Sequence, residues 1–130
     1  MKCLDTDLLI AILRGKKEAY RTVTELDQEA KEVTTAINAF EVFFGAYKSE
    51  RKNENTKEAQ KLLERLEVIP LDTSAARRAG EISATLFARG ETIDFRDAMI
   101  AGIALEKDLT LLTRNKAHFT RIKDLKVQTW

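Results

Sequence analysis

The sequence predicts a single α/β domain, spanning residues 1–130, in which a short parallel sheet is covered by helices on both faces. Short apolar or β-branched runs alternate along the chain with longer segments of helical periodicity. This pattern is typical of strand–helix units and therefore of a parallel sheet. The 130 residues are enough to bury one sizeable core, and no run rich in Pro, Gly or Ser divides them into two domains.

In the first half of the chain, apolar spacing and β-branched residues mark the elements. Leu8, Leu9 and Ile12 recur at helical spacing after the first strand, and Gly15 is suited to end that helix. The short run at 32–36 is β-branched, which is typical of a strand. The predicted elements of this half are a strand over 2–4, a helix over 6–13, an amphipathic helix over 18–30, a strand over 32–36, and helices over 37–50 and 55–66.

The second half continues the alternation. Pro70 lies in a short apolar run and indicates a strand end or a sheet edge, because proline cannot donate a ladder hydrogen bond. Asp72 or Thr73 can cap the following helix, which is closed by Gly90. The next helix is almost continuously apolar over 98–105, so we expect it to be buried. The predicted elements of this half are a strand over 68–71, a helix ending at 89, a helix over 94–107, a strand over 109–113, a short helix over 116–122 and a strand over 126–129.

Four aromatic residues form a broad stripe on the helix over 37–50. Phe40, Phe43, Phe44 and Tyr47 cover more than one face of that helix, whereas a sheet can bury only one face. We therefore expect the stripe to lie mainly in the core and a partner subunit to cover the remainder.

Composition excludes several functional classes. A single cysteine, Cys3, excludes an internal disulfide and, with the single histidine His118, cannot supply a structural zinc site. The isolated glycines form neither a dinucleotide-binding nor a phosphate-binding loop. A net charge of +1 gives no general attraction to nucleic acid. Because we find neither a signal peptide nor a long apolar span, we expect a cytoplasmic protein with no membrane partner, whose chemistry would depend on carboxylates.

Acidic side chains fall where the predicted strands end. Asp5 follows the first strand, and Asp94 and Asp97 open the helix before the fourth strand. Asn115 follows that strand, and Glu41 lies in the aromatic helix. Ligand sites of parallel α/β sheets lie outside the carboxyl ends of the strands, and oxygen ligands suit Mg²⁺ or Mn²⁺. Such ions would lower the pKa of an attacking water and stabilise the leaving oxygen of a phosphodiester.

These acids also have simpler interpretations. Asp5, Asp94 or Asp97 can cap a helix or balance its dipole without any catalytic role. Glu41 is surrounded by apolar residues, so it either lies at an exposed edge or is held for a partner. His118 is more often a surface or satisfied histidine than a ligand.

Four segments of the sequence form a recognisable pattern: CLDTDLLI at residues 3–10, TAINAFEVFFGA at 35–46, DFRDAMIAGIALEKDLTLLTRNKAHFTRI at 94–122, and the closing Trp130. These segments resemble the PIN domain, and at this length they resemble the VapC-like toxins of that family. Any one of these segments is a weak signal, whereas their common order over the whole chain is fairly specific.

The resemblance implies an Mg²⁺- or Mn²⁺-dependent endoribonuclease on a three-layer α/β/α sandwich around a short parallel sheet. Asp5 matches the first acid of the family pattern, Glu41 the second and Asp97 the third, as catalytic and metal-holding residues. Where the family often has a fourth acid this chain has Asn115, as many VapC-like proteins do. The other residues expected near the site are two hydroxyls, one further acid and two possible RNA contacts: Thr6, Thr113, Asp94, Arg96 and Arg114.

The resemblance also implies an RNA substrate, a homodimer and a VapB-like antitoxin that occludes the acidic groove. Two alternatives remain open. The chain could be an inactive PIN-like module that only dimerises or binds, although a dead site usually loses at least one of its acids. Asp5, Thr6 and Asp7 also resemble the strand-end motif of haloacid-dehalogenase-type phosphatases, but Leu9 stands where that motif has Thr or Val.

Overall fold

The computed structural model describes residues 1–27 and 32–130, and within these ranges strands and helices alternate as predicted. The strands are β1 (Lys2–Leu4), β2 (Glu32–Thr35), β3 (Glu67–Ile69), β4 (Thr110–Leu112) and β5 (Lys126–Gln128). The helices are α1 (Thr6–Leu13), α2 (Lys17–Asp27), α3 (Ala36–Tyr47), α4 (Lys52–Glu64), α5 (Thr73–Ala88), α6 (Phe95–Glu106) and α7 (Lys116–Phe119). Across the part of the chain just defined, no helix has the length and apolar character needed to cross a membrane.

The five strands pair in parallel and lie in the order β3-β2-β1-β4-β5. Cys3 of β1 is in register with Val33 of β2 on one side and with Leu111 of β4 on the other. Along the chain, β2 and β3 are therefore added on one side of β1, and β4 and β5 are then added on its other side. A crevice forms beyond the carboxyl ends of the strands where such a reversal occurs, which in this sheet is between β1 and β4.

Alternate side chains of the strands enter two separate cores. Cys3 and Leu111 pack on the face covered by α5, α6 and α7. Leu4 and Leu112, the next residues along the same strands, pack on the face covered by α1, α2, α3 and α4. The sheet is therefore covered on both faces, which confirms the predicted three-layer α/β/α sandwich.

Two helices end at the glycines that the sequence predicts. Gly15 has φ of 70° and Gly90 has φ of 76°, a backbone region that residues with a Cβ avoid. Beyond Gly15, the amide of Lys16 donates to the carbonyl of Ala11, and an equivalent bond follows Gly90. These two turns fix where α1 and α5 stop.

Several element ends differ from their predicted places by up to three residues. Helix α4 begins at Lys52 rather than at 55, because its polar first turn has no apolar spacing to mark it. Strand β3 ends at Ile69, directly before Pro70, and lies at the edge of the sheet, which confirms the inference from the proline. The last three residues of the helix predicted over 18–30 lie outside the described residues.

The aromatic stripe of α3 departs from the predicted core. Phe40, Phe44 and Tyr47 leave 56%, 54% and 63% of their surfaces exposed, whereas Val42 and Ala46 on the same helix are buried. The expectation that the stripe is mainly core is therefore wrong for these three aromatics, because α3 buries only the face that carries Val42 and Ala46. Phe40, Phe44 and Tyr47 are termed the aromatic patch below.

Candidate active site

Asp5 lies where the strand order reverses, directly after β1, and is 4% exposed. Its Oδ1 accepts a hydrogen bond from Nδ2 of Asn38 at 2.9 Å, and its Oδ2 accepts one from Oγ1 of Thr113 at 2.6 Å. Burial raises the pKa of Asp5 to about 6, although the hydrogen bond from Thr113 acts to lower it. Asp5 precedes α1, but its side chain makes no capping bond, so the capping interpretation does not explain it.

Asn38 is a fully buried residue of the site that the sequence analysis did not identify. Its backbone amide and side-chain oxygen form a reciprocal capping box with Thr35 at the start of α3. This fixes the amide group, whose Nδ2 then donates to both Asp5 Oδ1 and Thr6 Oγ1 at 2.9 Å. The spacing of Thr35 and Asn38 is the one signal that could have found it, since it is that of a capping box.

Glu41 is joined to this buried network through Thr6. The Thr6 hydroxyl donates to Oε1 of Glu41 at 2.7 Å and accepts from the Asn38 amide. Glu41 Oε2 faces Arg96, with 3.8 Å between Oε2 and the guanidinium nitrogen. Glu41 is therefore held by two partners at the rim of the site.

Arg96 lies among the acids of the site and is bound most closely to Asp94. Its Nε and Nη2 donate to the two oxygens of Asp94 at 3.1 and 3.0 Å, and these bonds lower the pKa of Asp94. Asp94 also accepts from the Arg96 amide and so caps α6. For Asp94 the capping interpretation is sufficient, and Arg96 acts as a positive charge between Asp94 and Glu41.

Asp97 projects from the first turn of α6 and contacts His118 of α7. The distance between Asp97 Oδ2 and His118 Nδ1 is 3.2 Å, and the Asp97 side chain is 22% exposed. Burial raises the pKa of Asp97, and the contact with His118 opposes that rise. His118 is thus a satisfied histidine as expected, although its partner is a candidate site acid.

Asp7, the second acid of the phosphatase-like motif, is held by an N–H donor on each of its two oxygens. Its Oδ2 accepts from the Arg114 amide at 2.8 Å, and its Oδ1 accepts from the Trp130 indole at 3.2 Å. The Arg114 guanidinium lies 3.6 Å from the centroid of the Trp130 ring. The amide of Asn115 donates to Thr113 Oγ1 at 3.0 Å, so Asn115 supports the site through its backbone.

The oxygen donors of the site suit a cation that keeps part of its water shell better than one that is surrounded by protein ligands. Asp5, Glu41 and Asp97 are the hard ligands that Mg²⁺ and Mn²⁺ take. Within 1–27 and 32–130, however, no three Asp, Glu, His or Cys side chains form a group able to hold a metal ion. Arg96 faces Glu41 and His118 contacts Asp97, so two of the three carboxylates already have a partner. Mg²⁺ keeps several waters and needs only one or two carboxylates, so the donor set still suits it.

The fold and the site together define a class of protein. It is a parallel α/β/α sandwich with acidic side chains at the switch point of the sheet, where the strand order reverses between β1 and β4. Within that class, the chain belongs to the PIN domain family, whose model matches residues 2–125. The resemblance predicted from the four sequence segments is thereby confirmed.

Relatives of known name are similar over almost their whole length. The chain is 32% identical to the tRNA(fMet)-specific endonuclease VapC of Salmonella typhimurium over 127 residues, which are 98% of this chain and 96% of that protein. The VapBC2 structure from Rickettsia felis, bound to a DNA fragment from its promoter, aligns with a TM-score of 0.92 at 26% identity and covers 99% of this chain and 98% of that one. The DNA-bound VapBC of Salmonella typhimurium aligns with a TM-score of 0.90 at 32% identity and covers 100% and 98%.

Proposed function

We propose that this chain is a divalent-metal-dependent endoribonuclease that acts as the toxin of a toxin–antitoxin pair. The family match and the endonuclease and ribonuclease names of its relatives support the nuclease chemistry. The observation that carries the proposal is the position of Asp5, a carboxyl buried at the switch point, where burial raises its pKa. A bound cation would stabilise the ionised form of such a group, which the protein alone disfavours.

In this proposal Asp5, Glu41 and Asp97 hold Mg²⁺ or Mn²⁺. When bound, the ion supplies Lewis acidity toward the phosphodiester and lowers the pKa of the attacking water. Asn38 and Thr113 keep the two oxygens of Asp5 in a fixed orientation. This support lets the site hold its geometry before the substrate arrives, which is the condition for electrostatic catalysis.

The proposed partners are an RNA substrate, a second copy of the chain and a VapB-like antitoxin. The VapBC structures that resemble this chain support the antitoxin. The exposed aromatic patch on α3 supports a second copy, because an apolar patch of this kind is typical of an interface. The RNA remains defined only by its class, since shape and a few side-chain contacts select RNA targets.

The metal requirement is tested with the purified full chain, structured RNA such as tRNA, and a single-stranded oligonucleotide. We expect endonucleolytic cleavage of at least one substrate with Mg²⁺ or Mn²⁺, none with EDTA, and recovery when the metal is returned. Cleavage that persists in EDTA, or its absence under all these conditions, would overturn the proposal.

Asp97→Asn tests the site assignment within the same assay. We expect cleavage to be abolished while the thermal midpoint stays unchanged or rises, because the substitution removes a partly desolvated charge. Asp124→Asn is the matched control, since Asp124 is exposed and has a positive φ that Asn also accepts. Equal activity of the two variants, or unfolding of Asp97→Asn, would remove Asp97 from the site.

A further inference from the structure

Trp130 reaches the site through Asp7, although the proposed chemistry gives it no role. Its indole Nε1 donates to Asp7 Oδ1 at 3.2 Å. Arg114 stacks on its ring, donates from Nε to the Trp130 carbonyl at 2.9 Å, and donates from its own amide to Asp7 Oδ2 at 2.8 Å. Both oxygens of Asp7 therefore have a fixed N–H donor.

Asp7 and Asp5 lie on either side of one hydroxyl group. Thr113 Oγ1 is 2.6 Å from Asp5 Oδ2 and 3.3 Å from Asp7 Oδ2. A hydroxyl carries one proton, and this one also accepts from the Asn115 amide at 3.0 Å. It can therefore donate fully to only one of the two carboxylates, and the shorter distance assigns that bond to Asp5.

We propose that Trp130 is a positioning residue: its indole N–H holds Asp7 Oδ1, which fixes the orientation of the Asp7 carboxylate and keeps Oδ2 at 3.3 Å from the Thr113 hydroxyl. Without the indole donor on Oδ1, the Asp7 carboxylate is free to rotate toward Thr113 and to compete for its hydroxyl, and Asp5 then loses one of the bonds that orient its carboxylate. The inference rests on the proposed function only for the consequence in catalysis. Trp130 acts through Asp7 and Thr113.

Trp130→Phe tests the inference, because it keeps an aromatic ring for Arg114 to stack on and removes the N–H donor. We expect kcat for RNA cleavage to fall by about tenfold, with little change in KM, since the loss of one charge-assisted hydrogen bond acts on orientation. In an Asp7→Ala background, where the competitor is absent, the same substitution should cost nothing. Tyr20→Phe is the matched control, because it removes the polar tip of an exposed aromatic side chain on α2.

Wild-type kcat in Trp130→Phe would overturn the inference. A loss of equal size in the Asp7→Ala background would overturn it as well, since the effect would then not pass through Asp7.

A measurement that does not depend on nuclease activity separates this inference from the proposed function. The chain has one tryptophan, so its indole N–H gives a single NMR signal. We expect Thr113→Val and Asp5→Asn to shift that signal and change its exchange rate with solvent, and Tyr20→Phe to leave it unchanged. If the wild type cleaves no RNA, the proposed function fails, whereas the NMR signal still tests the link from the Trp130 indole to Asp5. An indole N–H signal that Thr113→Val leaves unchanged would overturn the inference even if the wild type is an active nuclease.

Discussion

Asp5 connects the stability of the fold to the ionisation of the site. Its pKa is raised from 3.8 to about 6 by burial, so the folded chain binds a proton more tightly than the unfolded chain does. The stabilisation from that proton is complete below about pH 4 and is lost as the pH rises through about 6. Above that range, the cation-free protein carries a buried negative charge at a cost to its stability.

Asp5→Asn should remove that cost. In EDTA at pH 8 we expect the variant to be more stable than the wild type by on the order of 2 kcal/mol, and the difference to vanish near pH 4. Urea unfolding at both pH values measures it, with Asp124→Asn as the control for a lost surface charge. A pH-independent difference would show that the Asp5 carboxyl does not titrate as its burial requires.

Arg96 gives a second prediction at this scale, because its guanidinium lies where positive charge opposes a cation. It pairs with Asp94 and lies 3.8 Å from Glu41. Arg96→Gln should therefore tighten Mn²⁺ binding about two- to fivefold, as expected for a half-exposed ion pair. Calorimetric titration of the RNA-free protein measures the affinity, and Arg89→Gln, whose guanidinium pairs with Glu91, controls for the change in net charge. Weaker binding in Arg96→Gln, or the same gain in Arg89→Gln, would contradict this role.

The sequence predicts the acids of the site better than the residues that orient them. Asp5 and Asp97 are recognisable because each adjoins a strand or helix end in a pattern that resembles the PIN family. Asn38 and Trp130 act through bonds to Thr6 and Asp7, which lie 32 and 123 residues away along the chain. Such contacts exist only once the sheet has brought distant segments together, so local spacing carries little sign of them.

At the scale of the elements, α5 and α6 cross in close contact at Gly102. A Cβ built on Gly102 would lie 2.6 Å from the Ala75 carbonyl oxygen and 3.2 Å from the Ala79 Cβ. The nearest of these atoms belongs to the backbone, which cannot move aside as a flexible side chain can. Gly102 therefore permits the approach of the two helices that cover one face of the sheet.

Gly102→Ala should force α5 and α6 apart and lower the free energy of unfolding by about 1–3 kcal/mol. Gly80→Ala is the matched control, because Gly80 also lies within a helix but has nothing within 4 Å of its added Cβ. That control should stabilise the protein by about 0.5–1 kcal/mol through helix propensity. Chemical denaturation measures both, and a stabilised Gly102→Ala would show that the helices can separate at no cost.

The types of the elements follow from their periodicity, but their ends depend on contacts. The strand predicted over 32–36 stops at Thr35, because the Thr35 side chain caps α3 and the helix takes Ala36. The strand predicted over 109–113 stops at Leu112, and Thr113 instead gives its hydroxyl to Asp5. In both places the strand ends where a threonine side chain makes a bond outside the sheet, Thr35 to the start of α3 and Thr113 to Asp5.

At the scale of the whole molecule, the order of the strands explains why the site lies where it does. Strands β1 and β4 pair with each other, although 105 residues lie between Leu4 at the end of β1 and Thr110 at the start of β4. This pairing brings Asp5 and Thr113 together at the carboxyl ends of the two strands. No local pattern fixes that adjacency, which depends on two cores forming on opposite faces.

The aromatic patch leads to the last prediction, which concerns assembly. Phe40 and Phe44 stack with ring centroids 6.0 Å apart and, with Tyr47, leave one side of α3 apolar and exposed. Solvent contact with this surface is unfavourable, so we expect a dimer at micromolar concentration that Phe44→Ser converts to a monomer without loss of fold. Light scattering after size exclusion measures the mass, and circular dichroism the fold. Phe87→Ser, which removes a 79% exposed aromatic from α5, should leave the dimer intact. A monomeric wild type, or a dimeric Phe44→Ser, would show that the aromatic patch does not hold two copies of the chain together.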